Sequence, residues 1–281
     1  MRILHLDAGR EMRGGQWQVL RLIEGLAAAG VESTLLARQD APLYNAARKQ
    51  GWRVEPLGVT RALGCLRGHT LIHAHDARSH SLGAFLRGRP LVVSRRVAFP
   101  VGSRWKYGIA RRYLAVSGFV KNVLMLGGVS EERISVVYDG VPVLDVSHGQ
   151  QVLGLEKDSA LLARMGLRMV ANLEEDIGDA AVLVYVTTSE GLGSGALLAM
   201  SAAVPVIASN IGGLPEVIRH GENGLLVEND ERAISSAIRT LLDHPEQARQ
   251  MGAAARRTVL ERFTVDRMVT GTLEAYRRVL A

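Results

Sequence analysis

Short runs of apolar residues alternate with helix-like patterns along most of the chain. Residues 3–6 are typical of a strand, and residues 17–29 place apolar side chains on one helical face before Gly30. Residues 42–50 predict a second helix, which ends at Gly51. Further strands are predicted at residues 34–37, 54–57, 71–75, 91–94, 114–117 and 134–137. This alternation predicts a parallel sheet that is covered by helices on both faces.

The pattern restarts after a turn-rich stretch at residues 139–142, and residues 141–151 predict a linker. Beyond it, residues 159–165 predict a short helix, and Thr264 is expected to cap a final helix. Strands are predicted at residues 151–155, 168–171, 180–186, 205–208 and 224–227. We therefore expect an α/β fold made of two consecutive halves.

Composition places the chain among globular proteins of the reducing cytosol. Of its 281 residues, 47% are hydrophobic and 22% are charged. The single cysteine, Cys65, excludes an internal disulfide framework. No targeting segment is evident, and no apolar run reaches the roughly 18 residues that a membrane-spanning helix needs. These features predict a cytoplasmic location.

The charges are unevenly distributed. Lysine and arginine outnumber aspartate and glutamate by 34 to 28, and no acidic residue lies between Asp76 and Glu131. Trp105 and Tyr107 lie among the cations of this span. The cations expected to bind an acceptor or a membrane are Arg95, Arg96, Arg104, Lys106, Arg111 and Arg112. This basic span fits two anionic partners, the inner surface of the cytoplasmic membrane and a phosphorylated acceptor. The alternative is a basic face that is merely solvated. Nucleic acid is not expected, because no zinc spacing and no aromatic RNA-binding motif is present.

Two glycines follow the first predicted strand. Gly14 and Gly15 are expected in a loop between that strand and the next helix. Glycines at such a place let the backbone approach a ligand, and the helix start offers N–H groups to an anion. A plain turn is the alternative. The spacing is not that of a dinucleotide-binding fingerprint, so a dehydrogenase is not indicated.

A histidine pair marks the end of another strand, where parallel sheets form their ligand crevice. His73 and His75 point to the same side of the strand, and His80 is the candidate for a third metal ligand. Because Asp76 points the other way and no second ligand cluster is evident, we expect structural histidines and no metal.

Two glycine loops in the second half are expected at the carboxyl ends of neighbouring strands. The first loop follows Glu190 and consists of Gly191, Leu192, Gly193, Ser194 and Gly195. The second contains Gly212 and Gly213 and precedes Glu216. Backbone N–H groups of the first loop and of the helix after it would cradle phosphate oxygens, and Glu190 would accept hydrogen bonds from sugar hydroxyls.

Taken in order, these motifs resemble the retaining glycosyltransferases of family 4, which have the GT-B fold. Residues 190–216 resemble the C-terminal half of that family, and residues 117–140 resemble its inter-domain approach. The pair Gly14 and Gly15 and the run His73-Ala74-His75 stand where the family carries its glycine loop and its histidine strand. The resemblance covers most of the chain.

The resemblance implies two Rossmann-like domains whose parallel sheets face a cleft. Residues 1–142 would be the acceptor-side domain, residues 143–262 the nucleotide-sugar-binding domain, and residues 263–281 a helix that returns to the first domain. The implied activity moves a hexosyl or other sugar, with retention, from a nucleotide-sugar to a cell-envelope glycolipid or oligosaccharide, as in lipopolysaccharide or polysaccharide synthesis. No cofactor and no metal is implied, and no Asp-x-Asp sequence is present.

Roles for individual residues follow from the same resemblance. Glu190 and, more weakly, His75 are the catalytic candidates. Lys157 would bind the diphosphate of the donor together with the first glycine loop of the second half and with Gly14 and Gly15.

The chain departs from the family pattern at two places. Leu198 stands where the family has a second glutamate, and residues 160–180 compress or lose one βα unit. We therefore expect a shortened second domain. A non-catalytic binding protein of the same fold and a nucleotide-sugar epimerase remain alternatives.

Overall fold

The computed structural model of the chain describes residues 1–157 and 160–281, without the side chain of Arg104. The predicted helix start at Ser159 lies outside the described residues. The chain divides into two compact units, Met1–Tyr138 with Val265–Ala281, and Asp139–Thr264. No helix in the described part is long and apolar enough to span a bilayer. The assignment of the two halves to acceptor and donor remains a prediction.

The first unit is built around one parallel sheet. Its strands are β1 (Arg2–Asp7), β2 (Glu32–Ala37), β3 (Val54–Pro56), β4 (Leu71–Ala74), β5 (Leu91–Arg95), β6 (Arg112–Ala115) and β7 (Ile134–Val136). They pair in the order β3-β2-β1-β4-β5-β6-β7, and every pairing is parallel. The chain order reverses between β1 and β4, and this reversal leaves a crevice at the carboxyl ends of the two strands.

Helices connect these strands and begin at polar caps or turns. They are α1 (Gly14–Ala28), α2 (Pro42–Lys49), α3 (Val59–Leu66), α4 (Ala77–Phe85), α5 (Arg104–Ile109) and α6 (Gly118–Leu126). Gly14 and Gly15 form the first turn of α1, so the expectation of a glycine loop there is wrong. Arg13 N–H donates to Gln16 Oε1 at 3.3 Å. This hydrogen bond stabilises the first turn of α1, so the helix begins before the apolar pattern that starts at Trp17.

The second unit repeats the architecture on a smaller scale. Its described strands are β8 (Gln151–Glu156), β9 (Arg168–Met169), β10 (Ala180–Val186), β11 (Val206–Ser209) and β12 (Leu225–Val227). They pair in the order β12-β11-β10-β8-β9, again all parallel. Its helices are α7 (Leu161–Arg164), α8 (Leu173–Asp176), α9 (Ser194–Ser201), α10 (Leu214–Val217), α11 (Glu231–Asp243) and α12 (Pro245–Arg262). The sheet order reverses between β8 and β10. These two sheets confirm the predicted α/β class.

The described segment between β8 and β10 contains only short elements, and the loss of a βα unit of the family there remains a prediction. The strand expected at residues 168–171 is reduced to the two residues of β9, which pair with Leu153 and Gly154 of β8. Arg168 bridges to Asp176 at 3.2 Å and to Asp179 at 3.0 Å. Charged side chains at the edge strand β9 disfavour its pairing with a strand of another chain.

The segment expected to be a linker is packed against the second unit, so that expectation is wrong. Val141 N–H donates to the Phe263 carbonyl at 2.9 Å, and Ser147 Oγ donates to the Ala180 carbonyl at 2.8 Å. A Cβ added to Gly149 would lie 1.9 Å from the carbonyl carbon of Asp179. Backbone bonds and close packing therefore hold the segment, although its turn-rich sequence resembles that of a tether.

The final helix, α13 (Val265–Leu280), lies within the first unit. It crosses α1 where Gly25 leaves room for Val269, since an added Cβ at Gly25 would lie 2.4 Å from Val269 Cγ2. Tyr276 is fully buried in the same core cluster as Leu22 and Leu26. The last turns of α13 thereby become part of the wall behind β1 and β4.

A close helix contact in the second unit yields a stability prediction. A Cβ added to Gly252 of α12 would lie 2.0 Å from the Ala203 carbonyl oxygen. We expect Gly252→Ala to lower the free energy of unfolding of this unit by about 1–3 kcal/mol, because backbone must shift to admit the methyl group. Denaturant unfolding followed by circular dichroism measures the change.

Gly271→Ala in α13 is the matched control. Its added Cβ would meet Val137 Cγ1 at an ordinary 3.4 Å. Alanine is the better helix former, so this variant should be neutral or gain up to about 1 kcal/mol. Equal effects of the two substitutions would contradict the role given to the α12 contact.

Candidate functional site

Two carboxylates meet where the strand order of the first sheet reverses. Asp7 ends β1, and Asp76 follows β4 as the N-cap of α4. Ala8 N–H donates to Asp76 Oδ2 at 2.6 Å, and Gly9 N–H donates to Asp7 Oδ1 at 2.8 Å. Gln16 Nε2 donates to both carboxylate oxygens of Asp7 at 3.2 Å. Carboxylates from two strands therefore fix the segment between β1 and α1.

The Asp7 carboxyl group has an unusually high pKa. Burial raises the pKa of Asp7 to about 6, and the charge of Asp76 adds to this rise. Hydrogen bonds from Gly9 and Gln16 and the charge of Arg96 act in the opposite direction. Asp7 consequently changes charge near pH 6, at the carboxyl end of β1.

Three buried histidines lie on the same two strands. His5 pairs in register with His73, and His75 follows two residues later. His5 Nδ1 and His75 Nε2 are 3.0 Å apart. His73 uses both ring nitrogens, with Nδ1 2.6 Å from the Tyr276 hydroxyl and Nε2 2.8 Å from Ser94 Oγ. The cluster therefore ties β1, β4, β5 and α13 together.

The third member of the cluster is His5 and not His80, which was the candidate for a third metal ligand. His80 instead packs its ring against Tyr107, with centroids 4.9 Å apart. The candidate ligand atoms of His5, His73 and His75 lie within 4.8 Å of one another. Because both nitrogens of His73 already bond to hydroxyl groups, the set fits a hydrogen-bonded network better than a three-histidine cation site.

All three rings are neutral at physiological pH. Burial, reinforced by His69, lowers the pKa of His5 to about 3. Burial and the neighbouring histidines hold the pKa of His75 well below its usual range. His75 Nδ1 has no hydrogen-bond partner within the described residues. His75 therefore offers a neutral ring nitrogen and does not offer a charged acid.

The basic span of the first unit is exposed only in part. Arg95 is buried at 7% exposure, donates to the Phe99 carbonyl and lies over the Tyr107 ring. Tyr107 is buried as well and stacks on Tyr113 at 5.4 Å between centroids. The expectation that Arg95 and Tyr107 form part of a surface is therefore wrong, while Trp105 is 58% exposed.

The other cations differ in their surroundings. Lys106 Nζ donates to the Ala77 carbonyl at 3.3 Å. Arg96 and Arg112 are half-buried, and Arg111 is exposed. The charge of Arg96 lowers the pKa values of Asp7, His73 and His75, so Arg96 lies close to these groups.

An ion pair spans the reversal in the second sheet. Lys157 follows β8 and Glu190 follows β10, and Lys157 Nζ lies 2.7 Å from Glu190 Oε2. The Tyr185 hydroxyl donates to the same oxygen, and Gly191 N–H donates to Glu190 Oε1 at 2.9 Å. The Glu190 side chain is 12% exposed, whereas that of Lys157 is 48% exposed. The carboxylate is held in place, and the ammonium group faces outward.

This environment keeps Glu190 ionised. Burial acts to raise the pKa of Glu190. The charge of Lys157 and the hydrogen bonds from Lys157, Tyr185 and Gly191 act to lower it, and together they outweigh burial. The pKa of Glu190 is consequently lowered. A buried carboxylate that stays charged is a strong acceptor for ligand hydroxyls.

The first glycine loop leads directly into α9. Gly193 adopts φ 105°, in the left-handed region, and precedes the first helical residue, Ser194. Ser194 and Gly195 are half-buried, and the Leu192 side chain is buried in the core. Gly191, Leu192 and Gly193 are thus buried, and Ser194 and Gly195 are the more exposed residues of the loop.

The second glycine loop supports the first. A Cβ at Gly212 would lie 2.0 Å from the Glu190 carbonyl oxygen, and one at Gly213 would lie 2.0 Å from that of Gly191. Gly213 N–H donates to the Glu190 carbonyl at 3.2 Å. Glu216 is half-buried in α10, and its carbonyl accepts from Arg262. The structure thus makes Gly212 and Gly213 a backbone platform beneath Glu190.

Several residues of these sites were not predicted from the sequence, His5 of the histidine cluster among them. Asp7 directly follows a predicted strand, at the sheet edge where parallel sheets form their ligand crevice, and this position could have indicated it. Gln16 follows the glycine pair at the start of α1. Tyr185 lies inside a strand that reads as wholly apolar, and no local pattern distinguishes its hydroxyl from that of a core tyrosine.

Two family descriptions match the chain in succession. Residues 12–143 match the family described as Glycosyltransferase Family 4, and residues 166–258 match Glycosyl transferases group 1. The first segment lies almost wholly in the first unit, and the second lies within the second unit.

Characterised relatives match part of the chain. The alpha-maltose-1-phosphate synthase of Mycolicibacterium smegmatis is 37% identical over 116 residues, which cover 39% of this chain and 30% of that protein. The D-inositol 3-phosphate glycosyltransferase of Streptomyces scabiei is 33% identical over 146 residues, which cover 48% of this chain and 32% of that protein. The matched segments span about a third of the length of these relatives.

Solved structures extend the likeness to the whole fold. The Anabaena protein HepE in complex with UDP-glucose superimposes with a TM-score of 0.87 at 16% identity, over 99% of this chain and 100% of that chain. A glycosyltransferase from Rickettsia africae superimposes with a TM-score of 0.82 at 16% identity, over 99% and 98% of the two chains. At this identity the likeness is one of fold.

The raised pKa of Asp7 predicts a pH-dependent stability. Its carboxyl binds a proton more tightly in the folded chain, at a pKa of about 6, than at the ordinary value of 3.8. The folded state therefore loses stability as the pH rises from about 4 to 7. Asp7→Asn removes this loss, so the variant should gain on the order of 2 kcal/mol relative to wild type across that interval. Urea unfolding at several pH values measures the difference. A constant difference would contradict the assignment, and the exposed Asp243→Asn serves as the control.

Proposed function

Since the chain belongs to the glycosyltransferases of family 4, a family of transferase enzymes with the GT-B fold, we propose that it transfers a sugar from a nucleotide-sugar donor to an acceptor, with retention. The observation that carries the proposal is the Lys157–Glu190 pair beside the glycine loop that opens α9. It combines an exposed cation with a fixed carboxylate at the carboxyl ends of β8 and β10.

The two partners suit the two parts of a nucleotide-sugar. The Lys157 ammonium and the N–H groups at the start of α9 favour the diphosphate, whose negative charge grows as the sugar departs. Glu190 is positioned to accept hydrogen bonds from hydroxyls of the sugar. HepE, whose structure contains UDP-glucose, supports a nucleotide-sugar as the donor class. UDP-glucose is therefore the first donor to test.

The first unit would bind the acceptor. Its crevice holds Asp7, Asp76 and the neutral His75, and the half-buried Arg96 lies close enough to act on Asp7. The open space above Gly15, where an added Cβ meets nothing within 4 Å, leaves the start of α1 accessible to a ligand. We propose an anionic acceptor, such as a phosphorylated cell-envelope glycolipid or oligosaccharide.

One observation favours a second candidate, a binding protein that has lost turnover. Leu198 occupies the position of the family's second glutamate and is 5% exposed within α9. A buried leucine offers nothing to the ribose of a donor. Such a protein would bind a nucleotide-sugar without consuming it. No specific observation favours the third alternative, a nucleotide-sugar epimerase.

Substitution of Glu190 distinguishes these functions. Glu190→Gln keeps the size of the side chain but removes the charge that binds Lys157 and the donor hydroxyls. We expect turnover of the donor to fall at least about tenfold, equivalent to 1.4 kcal/mol. Donor consumption and release of nucleoside diphosphate are measured with and without a chelator, and we expect the chelator to leave the rate unchanged. Proton NMR of the product gives the anomeric configuration.

Glu246→Gln is the matched control, because Glu246 lies on the surface of the same unit and pairs with Arg249. It should keep the wild-type rate. A wild-type protein that binds UDP-glucose but never turns it over would favour the binding protein. Turnover that the chelator abolishes and a divalent cation restores would contradict the metal-free reaction.

We further propose that the first unit attaches to the inner face of the cytoplasmic membrane. Phe85 of α4 and Trp105 of α5 are 71% and 58% exposed, with ring centroids 5.9 Å apart. Exposed aromatic pairs suit the interface between lipid and water, and the acid-free span around them favours anionic headgroups.

Replacement of both aromatic residues tests this attachment. We expect Phe85→Ser with Trp105→Ser to weaken sedimentation with anionic vesicles at low salt at least about tenfold, since each buried aromatic side chain contributes about 1.5–3 kcal/mol. The control replaces Leu242 and Leu260 by serine, because both are similarly exposed on the second unit. Equal sedimentation of the two double variants would overturn the proposal.

A further inference from the structure

A cavity of about 940 Å³ lies in the first unit, and five arginines contribute to its lining. They are Arg87, Arg89, Arg111, Arg112 and Arg278. No acidic residue lines it. Within the part of the chain that the structure describes, none of these arginines forms an ion pair with a carboxylate. We refer to it as the arginine cavity.

The arginine cavity lies at the amino ends of the strands. Arg87 and Arg89 precede β5, Arg111 precedes β6, and Arg278 is in the last turn of α13. In a parallel sheet this edge is opposite to the carboxyl edge, where Asp7 and Asp76 mark the crevice. The arginine cavity is therefore separate from the candidate acceptor site.

The arginines are crowded without an internal counter-charge. Arg112 donates from Nη1 to Ser135 Oγ at 3.1 Å, but its buried Nε has no hydrogen-bond partner in the described residues. Burial lowers the pKa of Arg112, and the charge of Arg278 lowers it further. Arg89 Nε donates to the His69 carbonyl, which directs that side chain along the wall. Like charges held this close repel each other, and an anion would relieve the repulsion.

From this arrangement we propose that the arginine cavity binds a phosphate-bearing ligand. Guanidinium groups present paired N–H donors in a plane, which match the oxygens of a phosphate group. The volume exceeds that of a single phosphate and falls in the range of sites for small organic ligands. The phosphate is carried either by a soluble phosphorylated compound or by a phospholipid headgroup. Leu86, which lines the cavity, directly follows the exposed Phe85.

A substitution pair tests the site. In Arg112→Gln with Arg278→Gln, two of the five charges are removed. Pyrophosphate is titrated into the full chain by calorimetry at constant ionic strength, and the double variant should bind it at least about tenfold more weakly. The control is Arg232→Gln with Arg239→Gln, which removes two exposed charges from α11 of the second unit. It should bind as the wild type does.

Thermal stability separates ligand binding from a purely structural role. Basic residues at helix C-termini, such as Arg278 in α13, stabilise the helix dipole. If the arginines serve only this purpose, the double variant melts at a lower temperature and pyrophosphate stabilises it as much as the wild type. If the arginine cavity binds phosphate, the double variant melts no lower without pyrophosphate and loses the stabilisation that pyrophosphate gives the wild type.

Two further arms identify the source of the phosphate and keep the donor site apart. Because Lys157 is proposed to bind the diphosphate of the donor, the arginine double variant and its control are also compared in the Lys157→Met background, where the loss of pyrophosphate binding reports on the arginine cavity alone. Phosphatidylglycerol vesicles that sediment the wild type but not the arginine double variant, and that pyrophosphate displaces, assign a lipid headgroup. Pyrophosphate binding without vesicle binding assigns a soluble compound. Unchanged pyrophosphate affinity in the arginine double variant would overturn the proposal, whatever the outcome for transferase activity.

Discussion

The reversal of strand order in each parallel sheet is the constraint on which both candidate sites depend. Between β1 and β4, and between β8 and β10, successive loops leave the sheet on opposite faces and cannot cover the gap. Polar side chains at these strand ends then meet across the gap. In the first sheet they are Asp7 and Asp76, and in the second they are Lys157 and Glu190. One topological feature, used twice, has produced two sites of different charge.

The difference in charge determines what each site can do. Asp7 and Glu190 are both largely buried, yet the pKa of Asp7 is raised and that of Glu190 is lowered. Asp7 has another carboxylate as its neighbour, whereas Glu190 has the Lys157 ammonium. The first crevice therefore contains a group that gains or loses a proton near neutral pH. The second contains a permanent carboxylate beside a cation, an arrangement suited to hydroxyl and phosphate groups.

Local pattern was enough to predict most strands and the two glycine loops, because apolar runs and glycines report directly on burial and turns. It failed where the answer depends on partners distant in sequence. The register that places His5 beside His73 is set by the pairing of β1 with β4. The burial of Arg95 and Tyr107 inside an apparently exposed basic span depends on how α5 folds back onto the sheet. Gly14 and Gly15 joined a helix because Gln16 caps it, which the apolar stripe does not reveal.

The bond between Lys157 and Glu190 sets a condition on donor binding in the proposed reaction. A diphosphate that approaches Lys157 brings negative charge toward the Glu190 carboxylate, and the two anions repel. Glu190 keeps its hydrogen bonds from the Tyr185 hydroxyl and from Gly191 N–H when the lysine turns away. The glycines of the second loop, packed against the Glu190 and Gly191 carbonyls, hold that backbone in place. Lys157 is the more exposed partner and has the longer side chain. In the proposed reaction we therefore expect the lysine to move on donor entry, while the Glu190 carboxylate stays in place to accept the sugar hydroxyls.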